Sequence, residues 1–180
     1  ALRTGIAALG TANAAGELYL TDVIAHARSA GGRVGAHLLE DWVQAEGVND
    51  RVQLARLNAE LNRRILNRWM LDGVTVIDPA TTWVHAGVDL APDVTLLPGT
   101  SLEGATSVAS GATIGPDTTL IDVEVGENAT VTRTHAELAV IAAAATVGPF
   151  SYLRPGTELG ERGKIGAFVE TKKAVIGAGT

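Results

Sequence analysis

The chain contains no cysteine, which excludes disulfide frameworks, thiolate metal sites and cysteine nucleophiles together. Aromatics are scarce, with three Trp, two Tyr and two Phe in 180 residues. A core with so few large rings has to be assembled from many thin layers of small aliphatic side chains. Positive charge is in deficit too. Lys and Arg number 14 against 20 Asp and Glu, a formal net charge of −6, the opposite of the basic footprint of a nucleic-acid binder. No apolar run approaches the roughly 20 residues of a membrane span. No basic-then-apolar leader opens the chain, so a cytoplasmic protein with neither membrane nor nucleic-acid partner is expected. The first residue is Ala1 rather than Met, and Thr180 falls inside a repeating pattern. We therefore expect an internal stretch of a longer protein.

Charge divides what is present into two regions. Residues 1–73 carry eight acidic and eight basic side chains, whereas residues 74–180 carry twelve and six. No Lys or Arg occurs in residues 74–132, and five of the six cations that follow gather in residues 154–173. Cations clustered on an otherwise acidic region are a first pointer to an anion site. On charge alone, a solvated patch is the simpler reading.

The first region reads as mixed helix and strand. Asn13-Ala14-Ala15-Gly16 is turn-like. From Glu17 the apolar positions Leu20, Val23, Ile24 and Ala27 recur at helical spacing until Gly31-Gly32 stops them. Residues 33–39 suggest a short strand. A second helix has a clearer stripe, Leu54, Leu57, Leu61, Ile65 and Trp69. Glu60 can pair with Arg64 one turn on. Asn49 or Asp50 can cap its start, and Gly73 can end it.

The second region repeats every six residues. Val84, Leu90, Leu96, Leu102, Val108, Ile114 and Leu120 keep this interval without a miss. Four residues after each of the first six comes a small or β-branched side chain: Val88, Val94, Thr100, Thr106, Ala112 and Thr118. The phase slips at Val125, is obscure between Val131 and Ile141, then resumes through Val147, Leu153, Leu159 and Ile165, and more weakly at Thr171. Neither an α-helix nor an alternating strand has period six. A triangular solenoid has it, each hexad giving one short strand and one corner, three hexads closing a coil of eighteen. Residues 74–180 would then make about six coils.

Coil spacing brings two cations together. Arg154 and Lys172 are eighteen residues apart and should stack on consecutive rungs, about 4.8 Å apart. Arg154 precedes Pro155-Gly156, a pair suited to the central positions of a type II turn. Two stacked cations call for a negative partner. A phosphate or pyrophosphate suits a planar guanidinium fork beside a point charge, and neutralisation by Glu158 or Glu170 is the alternative.

The hexads resemble the left-handed parallel β-helix family of hexapeptide-repeat proteins, mostly trimeric acyltransferases with active sites in grooves between prisms. The left hand comes from this resemblance alone, since parallel crossovers ordinarily turn right. Successive segments narrow the likeness: Gly16-Glu17-Leu18-Tyr19-Leu20-Thr21-Asp22-Val23-Ile24, Glu46-Gly47-Val48-Asn49-Asp50-Arg51, Gly73-Val74-Thr75-Val76-Ile77-Asp78-Pro79, Val147-Gly148-Pro149-Phe150, Leu153-Arg154-Pro155-Gly156 and Gly166-Ala167-Phe168-Val169-Glu170-Thr171-Lys172-Lys173. In this order they resemble the bacterial bifunctional N-acetylglucosamine-1-phosphate uridyltransferase/glucosamine-1-phosphate acetyltransferases, over nearly the whole chain.

That resemblance implies a mainly β chain in three parts. Residues 1–49 would be the α/β end of a nucleotidyltransferase (uridyltransferase) domain, 50–73 a linker helix, and 74–180 the first part of a left-handed β-helical acetyltransferase domain. It also implies the substrates UTP, UDP-N-acetylglucosamine, glucosamine-1-phosphate and acetyl-CoA, with Mg²⁺ as cofactor and a homotrimer as the assembly. Carried over residue by residue, Asn49 would help hold Mg²⁺ and the uridine-diphosphate sugar, and Arg154 and Lys172 the sugar phosphate. Helix capping is the plainer role for Asn49. The family usually has a second Asn where this chain has Asp50, which adds negative charge beside that position. Its glycine-rich nucleotide loop, its metal-binding aspartate and the His-Leu-Thr-Tyr segment with the acetyltransferase base do not occur in these residues, so the 180 residues alone are expected to catalyse neither reaction. His26, His37, His85 and His135 match none of the family motifs and read as surface or satisfied histidines. Three rivals remain: a sugar-nucleotide transferase with a non-catalytic β-helix, a structural trimerisation module, and a β-helical metal hydratase. The last needs convergent histidines, whereas His85 and His135 are fifty residues apart, not a multiple of eighteen.

Overall fold

The computed structural model of the chain describes residues 2–180 and divides into two compact units, Ala1–Gly47 and Val48–Thr180. In the first, helix α1 (Leu2–Ala7) packs against α2 (Val23–Ser29). Gly5 is buried there because a Cβ would come within 2.8 Å of Val23 Cγ1. The turn at Asn13 forms, its Oδ1 accepting from the N–H groups of Ala15 and Glu17, each at 3.2 Å. This local ring holds Glu17 outside the helix expected from it, which begins instead as a 3₁₀ turn at Leu20–Asp22. Residues 33–39 form no strand. A strand must hand its N–H and C=O groups to a neighbour, and no other described residue of this unit is a strand.

The second unit opens with α3 (Arg51–Leu71). Asp50, not Asn49, caps it: its carboxylate accepts from Gln53 N–H at 2.7 Å, while Gln53 Oε1 accepts from Asn49 N–H at 2.8 Å. This is a capping box shifted by one residue at its return bond. Gly73 ends the helix with φ +96°, a conformation open to glycine. The buried face is not the whole leucine stripe. Ile65, Leu66 and Trp69 are covered, but Leu54 and Leu61 are exposed.

Residues 75–176 make eighteen short strands in three six-stranded parallel sheets, each strand pairing with those three before and three after it. The result is a left-handed parallel β-helix of six coils. Apart from Thr171 in the last coil, each coil places an aliphatic side chain inside every face, and Leu96, Leu102, Ile114, Leu120, Ile141 and Leu153 have no exposed surface. Two residues earlier on each strand a small side chain also points inward, as a period of two requires. Thr100, Thr106 and Thr157 sit there fully buried, donating to the carbonyls of Leu97, Glu103 and Arg154 at 2.7, 2.7 and 2.8 Å.

The obscure stretch resolves in the register. Ala136 is the inward residue, pairing with Leu120 below and Leu153 above. The repeats on both sides of it are five residues long, so the local coil shortens: Thr130 pairs with Thr146 and Glu124 with Val140. A similar contraction near the end makes Glu158 pair with Val175, and Ala174 takes the inward position while Val175 is 78% exposed. Among the described residues no helix is long and apolar enough to cross a membrane.

Candidate functional site

One face of the prism carries the charged cluster. Its strands include Ser101–Glu103, Thr119–Ile121, Thr134–Glu137, Ser151–Leu153 and Glu170–Thr171. The inward partners Leu153 and Thr171 are in register, and Arg154 N–H donates to Thr171 O at 3.0 Å. Arg154 and Lys172, the next residue on each strand, therefore lie on consecutive rungs of one edge. The turn after Arg154 also forms. Gly156 has φ +80° and Thr157 N–H returns to Arg154 O at 3.2 Å, the type II geometry that fixes where the arginine leaves the backbone.

Carboxylates share this face. Arg154 Nη1 donates to Glu170 Oε1 at 3.0 Å, with side chains 38% and 59% exposed. At that exposure the pair is weak and open to exchange for a better anion. Lys172 is exposed and makes no ion pair among the described residues. One rung below Arg154 lies Glu137, set there by the Ala136–Leu153 register. Its Oε1 lies 2.7 Å from His135 Nε2 and accepts from the Tyr152 hydroxyl at 3.5 Å. The rings of His135 and Tyr152 meet edge to face at 5.2 Å. Sequence spacing missed this trio because Glu137 and Arg154 are seventeen residues apart, in a shortened coil, and a search in eighteens passes over them.

Asn49 is elsewhere. It lies before the first turn of α3, exposed, while the other half of that helix packs on the first coil and the two cations belong to the fifth and sixth. The structure does not bring Asn49 together with Arg154 and Lys172. Among the described residues no three His, Asp or Glu side chains converge as a metal site. Asn49 offers one amide oxygen, and the neighbouring Asp50 carboxylate is committed to the helix cap. A hard cation such as Mg²⁺ needs six oxygens, usually including carboxylate and phosphate, so these residues alone do not compose its site. His85 and His135 lie on the same face but three rungs apart, about 14 Å along the axis, in different columns. Cavities of about 170 and 230 Å³ flank Trp83 where α3 meets the first coil, away from the cations.

No family model matches the chain. Curated relatives match along all of it. It is 62% identical over 180 residues, 100% of its length, to the bifunctional protein GlmU of Kineococcus radiotolerans, and 62% over 179 residues, 99% of its length, to that of Pseudarthrobacter chlorophenolicus. The chain spans only 37% and 36% of those two proteins. Among solved structures, the N-acyltransferase AntD of Bacillus cereus, in complex with dTDP and 3-hydroxybutyryl-CoA, is similar with a TM-score of 0.48. Identity there is 12%, over 63% of this chain and 80% of AntD. An unbroken match at this identity, across the helical unit, α3 and all six coils, is that of one protein family: the chain belongs to the bifunctional GlmU proteins, of which it represents little more than a third.

Proposed function

We propose that this stretch serves two successive transfers in the whole protein. Acetyl passes from acetyl-CoA to glucosamine-1-phosphate, and uridylyl then passes from UTP to N-acetylglucosamine-1-phosphate, giving UDP-N-acetylglucosamine and pyrophosphate. In the first step a base takes a proton from the sugar amine, which attacks the thioester carbonyl and expels CoA thiol. Arg154 and Lys172 hold the phosphate. Their places on adjacent rungs are the observation that carries this reading, because a phosphoryl group can bridge a fork and a point charge at that separation. The base and the acetyl-CoA contacts come from parts of the protein beyond these 180 residues. For the second step Asn49 would offer one amide oxygen toward Mg²⁺ and the nucleotide sugar, with carboxylates supplied elsewhere in the protein, and the metal when bound would offset phosphate charge. The working form is a cytoplasmic homotrimer.

The Arg154–Glu170 pair favours a second reading, in which these side chains only stitch two coils. Kinetics of the full-length protein separate the two. Under the first reading, Arg154→Ala and Lys172→Ala each raise KM for glucosamine-1-phosphate about tenfold or more, the size of a lost charge-assisted bond. Uridylyl transfer stays unchanged. Acetyl-transfer kinetics like those of the parent, with a lowered melting temperature, would leave only the stitching role.

A further inference from the structure

Arg154 has two carboxylates within one rung, and they pull it in opposite directions. Glu170 shares its strand with the residue preceding Lys172, so pairing with Glu170 leans the guanidinium toward Lys172. Glu137 lies directly below, and pairing with it would draw the guanidinium one rung down, about 4.8 Å farther from the other cation. Both carboxylates are partly exposed, at 35% for Glu137 and 59% for Glu170, and solvent alone does not choose between them. The difference is His135. Its Nε2 takes Glu137 Oε1 at 2.7 Å, its ring is held edge-on by Tyr152 at 5.2 Å, and the Tyr152 hydroxyl adds a longer bond to the same oxygen. Other charged groups nearby, Lys172 and Lys173, lie on the upper rung and the following corner.

We propose that His135 is a positioning residue: by occupying Glu137, it keeps Arg154 on the Lys172 side, where the pair can receive the phosphoryl group of the substrate. The proposal rests on the reading of Arg154 and Lys172 as the phosphate site. Tyr152 acts through the same contact, bracing the imidazole from the next rung. Glu137 is then a competitor that the fold keeps occupied.

The test measures the dissociation constant for glucosamine-1-phosphate by calorimetry, and acetyl-transfer kinetics, in the full-length protein. His135→Phe keeps an aromatic ring against Tyr152 but removes the N–H. It weakens binding about fivefold, the worth of one half-exposed charge pair, with kcat changing less than about twofold. His135→Gln, which retains an N–H donor, recovers most of that loss. Adding Glu137→Gln to His135→Phe removes the freed competitor and also restores binding. A double variant as weak as His135→Phe alone overturns the proposal, as does a His135→Phe protein that binds like the parent while Arg154→Ala does not. Should Arg154→Ala itself bind normally, the phosphate-site reading falls first and this one with it.

Discussion

Leu96, Leu102, Ile114, Leu120, Ile141 and Leu153 of the prism have no exposed surface, whereas Leu18, Leu20, Ile24, Leu38 and Trp42 of the first unit are between 52 and 85% exposed. Gly5 is the single buried residue among those described in that unit. The prism closes by repetition. Between its two end coils, each inward side chain is covered by the same position one coil above and below, and by the two other faces of its own coil. A repeat of this kind needs only near neighbours to complete its core. The first unit has short helices and open chain, with no layer of its own to set opposite its apolar side chains. One unit carries its core within it, and the other presents a surface that needs a cover.

Limited proteolysis tests this contrast most sharply. In the isolated 180-residue chain the first cuts should fall within residues 1–47, leaving a resistant piece of residues 48–180, because cleavage follows local opening. First cuts at the prism corners would invert the comparison. Substitution gives the next largest difference. Leu102→Ala should cost about 3 kcal/mol, since Leu102 is fully buried and its cavity cannot collapse. Leu38→Ala, at a side chain 85% exposed, should stay within about 0.5 kcal/mol. Chemical denaturation curves with a shared slope measure both.

The prism has one end where repetition cannot help, and Asn62 deals with it. The strand Trp83–Val84 is the first of its sheet, so no earlier coil pairs with it. Asn62, 8% exposed on α3, donates from Nδ2 to Thr82 O at 2.8 Å, and its Oδ1 accepts from Val84 N–H at 3.1 Å. One amide side chain thus replaces the missing rung. Asn62→Ala leaves a buried donor and a buried acceptor unmet, and should cost about 2 kcal/mol. A stability change below about 0.5 kcal/mol would mean water reaches that edge and the helix is not its cover.

How much of this was legible follows from what each residue is for. The coils were, because Leu, Ile or Val recurs at a fixed interval wherever the interior needs filling. Residues 131–141 were not, because Ala136 looks like a surface residue in sequence and two short repeats displace it. The start of α3 was legible to within a residue, and its buried face only in part: Ile65 and Trp69 of the expected stripe are covered, whereas Leu54 and Leu61 are exposed and the fold buries Asn62 for its hydrogen bonds. The strand expected over residues 33–39 needed a partner that no pattern within those residues could supply. At the face, eighteen-residue spacing found Arg154 and Lys172, while His135 and Glu137 were out of phase with it. Pairing with Glu170 was foreseen as an alternative to an anion.

The smallest expected effect lies on the outer surface of α3. Glu60 accepts from Arg63 Nε and Nη2, each at 2.7 Å, and from Arg64 Nε at 2.6 Å. Hydrogen bonds from Arg63 and then Arg64 hold its carboxyl down from 4.5 to about 2. A carboxyl with a folded pKa below its unfolded one stabilises the fold above the unfolded value, and loses that contribution as pH falls through the folded one. The gain of the parent over Glu60→Gln should therefore be complete above about pH 5 and fade between pH 4.5 and 2. Because the group is at the surface, added salt should shrink it. The readout is the difference in melting temperature across that range at low and high salt. A difference that persists unchanged at pH 2 would show that Glu60 acts through helix packing instead. The outer face of α3 would then share in the prism's kind of stability and cease to be a solvated surface.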